Sequence, residues 1–219
     1  MNNGSVVIIG NGDFPRKEYP LYLLSGAGHI VCCDGALERY LKYSHKEGKG
    51  RLPDAVIGDM DSLTAALQKK YSRLVVRDSD QETNDQTKAF NHVIRTYKDV
   101  TDITFLAATG KREDHTVGNM SLLMDYARSL GSRDIRLQMV SDHSTILPVT
   151  DSTELDCGTG RRISIISPDN SLRIKSEGLQ WPTDNVVFDN LWKATLNRAS
   201  EDTVRLTFNH PSAALVIMD

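Results

Sequence analysis

The sequence predicts an α/β protein: an N-terminal, Rossmann-like domain on a parallel sheet, followed by a small C-terminal all-β sandwich. Three observations predict it. Short apolar runs alternate with amphipathic segments over the first part of the chain, the runs are apolar almost without interruption, and helical periodicity stops after about residue 143. Near-continuous apolar strands are the pattern of a sheet covered on both faces, as parallel sheets are. Strands that alternate with helices give such a sheet with helices on either side. The expected division is residues 1–143 and residues 144–219.

The predicted strands of the first domain are 5–10 (SVVIIG), 29–34 (HIVCCD), 54–59 (DAVIGD), 74–78 (LVVRD), 103–110 (ITFLAATG) and 135–141 (IRLQMVS). Between them, Ala89, Phe90, Val93, Ile94 and Tyr97 line one helical face, as do Val117, Met120, Met124 and Ala127. The stretch SHKEGKGRLP (44–53) reads as a surface loop. Beyond residue 143 the segments STILPV, RISIISP, LRIKSEG, VVFDN, ATLNR, TVRLTFN and AALVIMD read as short strands broken by Pro, Gly, Asn and Asp.

Composition narrows the function classes. The 219 residues are 39% hydrophobic and 25% charged, which is ordinary globular usage. A formal net charge of −3 without a basic stripe argues against nucleic acid as a partner. Cys32, Cys33 and Cys157 are too few for a disulfide framework and read as buried thiols in a reducing compartment. No zinc-ligand spacing occurs. The N-terminal apolar run is too short for a signal-peptide core or a membrane span, so the expected location is the cytoplasm, away from the membrane.

In an open α/β sheet, ligands bind at the carboxyl ends of the strands. Polar residues fall there repeatedly: Asn11, Gly12 and Asp13, then Asp34 and Gly35, then Asp59 and Asp61, then Thr109 and Gly110. Asp59 and Asp61 pose the sharpest question. Side chains at i and i+2 of an extended segment point the same way, so the two carboxylates repel unless a cation or proton sits between them. With Asp34, Asp85 and Asp114 they form an acidic set whose hard oxygens suit Mg²⁺. Lys88, Lys111, Arg112 and His115 add cationic and donor groups. Acids for a metal beside cations for phosphate suit a nucleoside triphosphate. No P-loop and no dinucleotide fingerprint occurs. A D-x-D phosphatase also fits IGDMDSL, but that chemistry expects the pair after the first strand, and here it follows the third.

Five segments together resemble the thiamine pyrophosphokinase family: VCCDGALERYL, PDAVIGDMDSL, NDQTKAF, TGKREDHTVGNMSLL, and GLQW with the later TLNR. They span residues 31–198 in the family's order. The resemblance implies a nucleotide domain, a thiamine-binding and dimerising sandwich, and a homodimer with active sites between subunits. It implies Mg²⁺ as cofactor, ATP as co-substrate and thiamine as acceptor. Carried over by position, Asp34, Asp59, Asp61 and Asp85 would surround Mg²⁺ and the phosphates. Asn11, Gly12, Lys88, Thr109, Gly110, Arg112, Asp114 and His115 would complete the nucleotide contacts. Trp181 would stack on thiamine, and Asn197 would help hold it. Two positions depart from the family pattern: Asn84 stands where it has Thr, and Leu196 where it has Ser. A non-catalytic regulator on the same fold is the alternative, and it would tolerate loss of the acids, all of which are present.

Overall fold

Val6, Val7, Ile8 and Ile9 are all buried, so the first strand is covered on both faces. The structure, a computed structural model, describes residues 2–48 and 50–219. It contains two compact units: Met1–Leu122 with Arg133–Asp142, and Leu123–Ser132 with His143–Asp219.

In chain order the first elements are β1 (Asn2–Ile9), α1 (Glu18–Gly26), β2 (Ala27–Cys33), α2 (Ala36–Lys46), β3 (Ala55–Gly58) and α3 (Ala65–Lys70). Then come β4 (Val75–Arg77), α4 (Asp85–Thr96), β5 (Asp102–Leu106), α5 (Glu113–Leu130) and β6 (Arg136–Val140). The six strands pair in the order β6-β5-β1-β2-β3-β4, every pair parallel. One sheet face carries Val7, Ile9, Ile30, Cys32 and Val56, packed with Leu24 of α1 and Leu37, Tyr40 and Leu41 of α2. Helix α4 packs against β1, β2 and β3. Each fully buried aliphatic side chain contributes about 1.5–3 kcal/mol, and this double coverage is what turns an apolar run into a central strand. Asn84 starts α4: its Oδ1 accepts the Thr87 N–H at 2.9 Å. The parallel-strand reading of the sequence is thus matched, and α1, α2 and α3 add to the two helices that periodicity had located.

The second unit holds β7 (Thr145–Val149), β8 (Thr153–Asp156), β9 (Arg162–Ile166), β10 (Ile174–Glu177), β11 (Ala194–Arg198), β12 (Thr203–Phe208) and β13 (Ala214–Met218). Strands β11, β9, β13 and β7 pair antiparallel in that order, and β10, β12 and β8 form a second antiparallel sheet. Residues of both sheets share one core: Ile163 and Ile165 of β9 and Val216 of β13 cluster with Ile174 of β10 and Val204, Leu206 and Phe208 of β12. Period-two alternation is plain in β12, where Arg205 and Thr207 are exposed between buried neighbours.

Two expectations differ. The segment 186–190 is a loop, not a strand; its apolar character serves packing, with Phe188 buried in the core and Val186 against it. Conversely, Thr153–Asp156 forms an edge strand that its polar composition hid. All three cysteines are buried and free.

Candidate active site

Chain geometry at the ends of β2 and β3 gathers the acids. Asp34 directly follows β2 with φ +28°, and Met60, two residues past β3, has φ +72°. Left-handed backbone in non-glycine residues costs free energy and persists only where its surroundings enforce it. Asp34 is 2% exposed. Its Oδ2 accepts the Ser62 N–H at 2.9 Å, while its Oδ1 is buried with no hydrogen-bond partner among the described residues. Burial, with help from the charges of Asp85 and Asp61, pushes the Asp34 carboxyl up to about 6, against the pull of the Ser62 N–H. Oxygens of Asp34, Asp59 and Asp61 lie within 4.8 Å of one another. Asp59 is half-buried and held low, chiefly by the Asp61 N–H that it accepts at 3.1 Å.

A buried oxygen without a partner, on a residue that meets two further carboxylates, is unfavourable as it stands. A hard divalent cation would both satisfy the oxygen and offset the repulsion, and the all-carboxylate donor set suits Mg²⁺.

Gly58 permits a fourth acid to approach. A Cβ there would stand 2.9 Å from Asp34 Cβ and 3.0 Å from Asp85 Oδ1, and its φ of +155° lies outside the usual L-residue range. Asp85 is the first residue of α4, where the helix dipole favours a carboxylate. Burial nonetheless pushes its pKa up, opposed by the nearby Lys88 ammonium. Lys88 is 3% exposed, with Nζ 3.8 Å from Asp85 Oδ1. It is therefore a buried cation inside the acidic set and no solvated helix face.

Beside the acids, strand order reverses at β1, with β2, β3 and β4 to one side and β5 and β6 to the other. Such switch points open a crevice at the carboxyl ends. A cleft of about 340 Å³ lies there, walled by Asn11, Gly12, Ser62, Asp85, Thr109, Lys111, Arg112 and His115, among others. Gly12 donates its N–H to Ala107 O at 2.6 Å, and a Cβ on it would sit 2.3 Å from Thr109 O, so only glycine fits. Gly110 and Asp114 are not part of the wall. Asp114 instead pairs with Arg112 (Nε to Oδ1 3.1 Å) and accepts the His115 N–H at 2.9 Å, both on the exposed surface. A pair so exposed contributes little to stability, because water screens it.

Asn119, to which sequence reading gave no role, ties the two helices of the cleft. Its Nδ2 donates to Ala108 O at 2.7 Å, its Oδ1 accepts from Asn84 Nδ2 at 3.0 Å, and its backbone oxygen accepts from Gln86 Nε2 at 3.2 Å. Asn84 thus caps α4 through its Oδ1 and bridges to α5 through its Nδ2, one amide atom for each bond. Asn84→Asp keeps the cap but turns the donor into a second acceptor facing Asn119. Thermal denaturation should show a loss of about 1 kcal/mol, and steady-state kinetics a several-fold rise in KM for the ligand that the cleft takes. An unchanged KM would show the bridge to be irrelevant to the cleft.

The second unit brings together the other two predicted residues. Asn197 is buried; its Oδ1 accepts the backbone N–H of Trp181 (3.2 Å) and of Arg198 (2.8 Å), and its Nδ2 donates to Trp181 O (2.7 Å). The amide therefore fixes the Trp181 backbone, leaving the indole 54% exposed. Trp181 and Leu196 border a depression of about 310 Å³ with Pro182, Val186, Lys193 and Thr195 among its walls. Leu196 has φ +61° and is 83% exposed. It lies where the β11–β9 register shifts between Ala194 and Asn197, a bulge that turns its side chain outward.

Comparison with known proteins adds the family. Residues 21–133 match the model for the thiamin pyrophosphokinase catalytic domain, and residues 145–216 match that for the thiamin pyrophosphokinase substrate-binding domain. The chain belongs to the thiamin pyrophosphokinase family. Thiamine pyrophosphokinase 1 of Oryza sativa subsp. japonica is 32% identical over 231 residues, covering 92% of this chain and 82% of the rice protein. Thiamine pyrophosphokinase 2 of Arabidopsis thaliana is 27% identical over 207 residues, or 82% of this chain and 73% of that one. The fold is shared with yeast thiamin pyrophosphokinase (TM-score 0.76, 20% identity, covering 100% of this chain and 87% of that chain). It is shared too with the Candida albicans enzyme (TM-score 0.77, 18% identity, 99% and 89% covered). Within the family pattern, sequence reading overlooked what Ser62 and Gly58 do, because one acts through a backbone N–H and the other through the absence of a side chain. Among the described residues no helix is long and apolar enough to cross a membrane.

Proposed function

We propose that the chain transfers the pyrophosphoryl group of ATP to thiamine through an Mg²⁺ site held by Asp34, Asp59 and Asp61. Pyrophosphorylation of thiamine is the activity of its family. The observation that supports the site is the gathering of three carboxylates at a buried Asp34 whose Oδ1 has no partner among the described residues. Bound Mg²⁺ would supply charge neutralisation at the phosphate oxygens.

In the reaction, the primary hydroxyl oxygen of thiamine bonds to the β-phosphorus of ATP. The bond from that phosphorus to the bridging α–β oxygen breaks, AMP leaves with the electron pair, and the hydroxyl proton passes to a base. Positioning and charge carry such a transfer, with little covalent work for the protein. Asp85 is the better candidate to orient or deprotonate the hydroxyl: it lines the cleft and is only partly buried, whereas Asp34 is enclosed. Lys88 balances the acids, and Arg112, Lys111 and His115 on the cleft wall offer charge and donors to phosphate. Asn11, Gly12, Thr109 and Gly110 shape the nucleotide's seat.

For the acceptor, the exposed indole of Trp181 supports stacking on thiamine, with Asn197 as the residue that positions it. Trp181→Ala should raise KM for thiamine at least about tenfold and leave KM for ATP within about twofold. Equal effects on both would make Trp181 structural. The proposal extends to a domain division at residues 143 and 144, to the two antiparallel sheets as a sandwich around their common core, and to a Rossmann-like nucleotide domain. It also includes a homodimer with active sites between subunits, which the exposed Trp181, Leu191, Trp192 and Leu196 support, and a cytoplasmic location. The direct test incubates the chain with thiamine, ATP and Mg²⁺. Thiamine diphosphate and AMP should appear in equal amounts; ADP or free phosphate in their place would overturn the reading.

A further inference from the structure

The outer face of the four-stranded sheet repeats, with opposite sign, the problem that Asp59 and Asp61 posed. Arg198, the last residue of β11, stands directly opposite Arg162, the first of β9, in the antiparallel register. Like charges placed directly across a strand pair repel and destabilise it. Arg161 adds a third guanidinium, and its Nε is buried without a hydrogen-bond partner among the described residues. The one acid here is Asp219, paired with Arg162. Arg198 makes only a long contact, 3.4 Å, to Gly160 O. Asp219, as residue 219, carries an α-carboxylate as well as the side chain that pairs with Arg162, so three guanidinium groups stand against two carboxylates and one positive charge is left over.

These residues wall a recess of about 380 Å³ with Gly160. A second depression, of about 240 Å³, joins it to the Trp181 cleft, since Arg162, Arg198 and Asp219 line that depression together with Trp181, Leu196 and Asn197. An aromatic platform thus runs into two arginines, Arg162 paired with Asp219 and Arg198 without an acidic partner among the described residues. Guanidinium groups match the geometry and charge of phosphate, and bidentate pairs are the strong form of that contact.

We propose that this recess binds the diphosphate of thiamine diphosphate, so that the product is held at the Trp181 cleft by its ring and its anion together. The inference rests on the reading of the Trp181 cleft as the thiamine side. Product so bound excludes thiamine from the same cleft and slows turnover as it accumulates. The ligand class is an aromatic diphosphate; free inorganic pyrophosphate shares the anionic half alone.

The test is calorimetric titration of the full chain in EDTA, so that no divalent cation draws the diphosphate to the acidic cluster. Thiamine diphosphate should bind more tightly than thiamine. In the double variant Arg162→Gln, Arg198→Gln, affinity for thiamine diphosphate should fall at least about tenfold while that for thiamine stays the same. With anion absent, that variant should also melt at a higher temperature than the parent, because the opposed charges are gone; this readout guards against misfolding. Unchanged affinity for thiamine diphosphate in the double variant would sink the proposal. So would a parent that binds inorganic pyrophosphate as tightly as thiamine diphosphate, because the ring would then add nothing. Trp181→Ala separates the two readings. If thiamine binds it as before, the thiamine-side assignment fails, while pyrophosphate binding lost in the arginine variant would still place the anion in the recess.

Discussion

Asp59→Asn lowers kcat by at least about a hundredfold and takes away most of the rise in melting temperature that Mg²⁺ gives the parent. The substitution is nearly isosteric, and the new Oδ1 can still accept the Asp61 N–H that Asp59 accepts at 3.1 Å. What disappears is one negative charge from a set whose oxygens sit within 4.8 Å of one another. Without a cation the charge is already held by the Asp61 N–H, so its removal brings the fold no gain; with a cation it is a ligand, so its removal weakens the site. Scanning calorimetry with and without Mg²⁺, beside steady-state rates, reads both effects. A variant that turned over at the parent rate would refute the metal assignment outright.

Lys88→Met lowers kcat by a similar factor but costs stability with or without the metal. Methionine fills the space of the buried stem with little packing cost. It removes the ammonium that stands 3.8 Å from Asp85 and opposes the upward push of burial on that carboxyl. Losing one partner of a fully buried pair costs about 3–5 kcal/mol. Asp85 is partly open to water, so a loss of about 1–2 kcal/mol is expected after screening, or roughly 2–8 °C in melting temperature for a chain of this size. A stability loss that does not depend on Mg²⁺, beside one that does, distinguishes a cation that balances the acids from a ligand of the metal. If Lys88→Met melted and turned over like the parent, the ammonium would have neither role.

Much of this architecture could be read from the residues. Runs such as Val6–Ile9 are covered on both faces, and burial on both faces is what removes polar alternation from a strand. The acids of the site were legible because their spacing along the chain is also their spacing in space: Asp59 and Asp61 follow one strand, and Asp34 follows its neighbour. What stayed hidden depends on pairing. Arg162 and Arg198 become neighbours only through the β9–β11 register, and GRRIS alone reads as a solvated face. Asn119 acts through Asn84 and Ala108, neither near it in sequence. Phe188 misled because an apolar loop that plugs a core has the composition of a strand.

The burial of Cys32, Cys33 and Cys157 has a practical consequence. Cys32 and Cys33 are held firmly as thiols by desolvation, and Cys157 is pushed the same way, so none offers a ready thiolate to an electrophile. A cysteine introduced at an exposed position such as Val117 of α5 or Trp192 would then be the one thiol that a maleimide dye reaches quickly. The native chain is in this sense already a cysteine-light background, and fluorophores can be attached singly without first replacing any residue of the core.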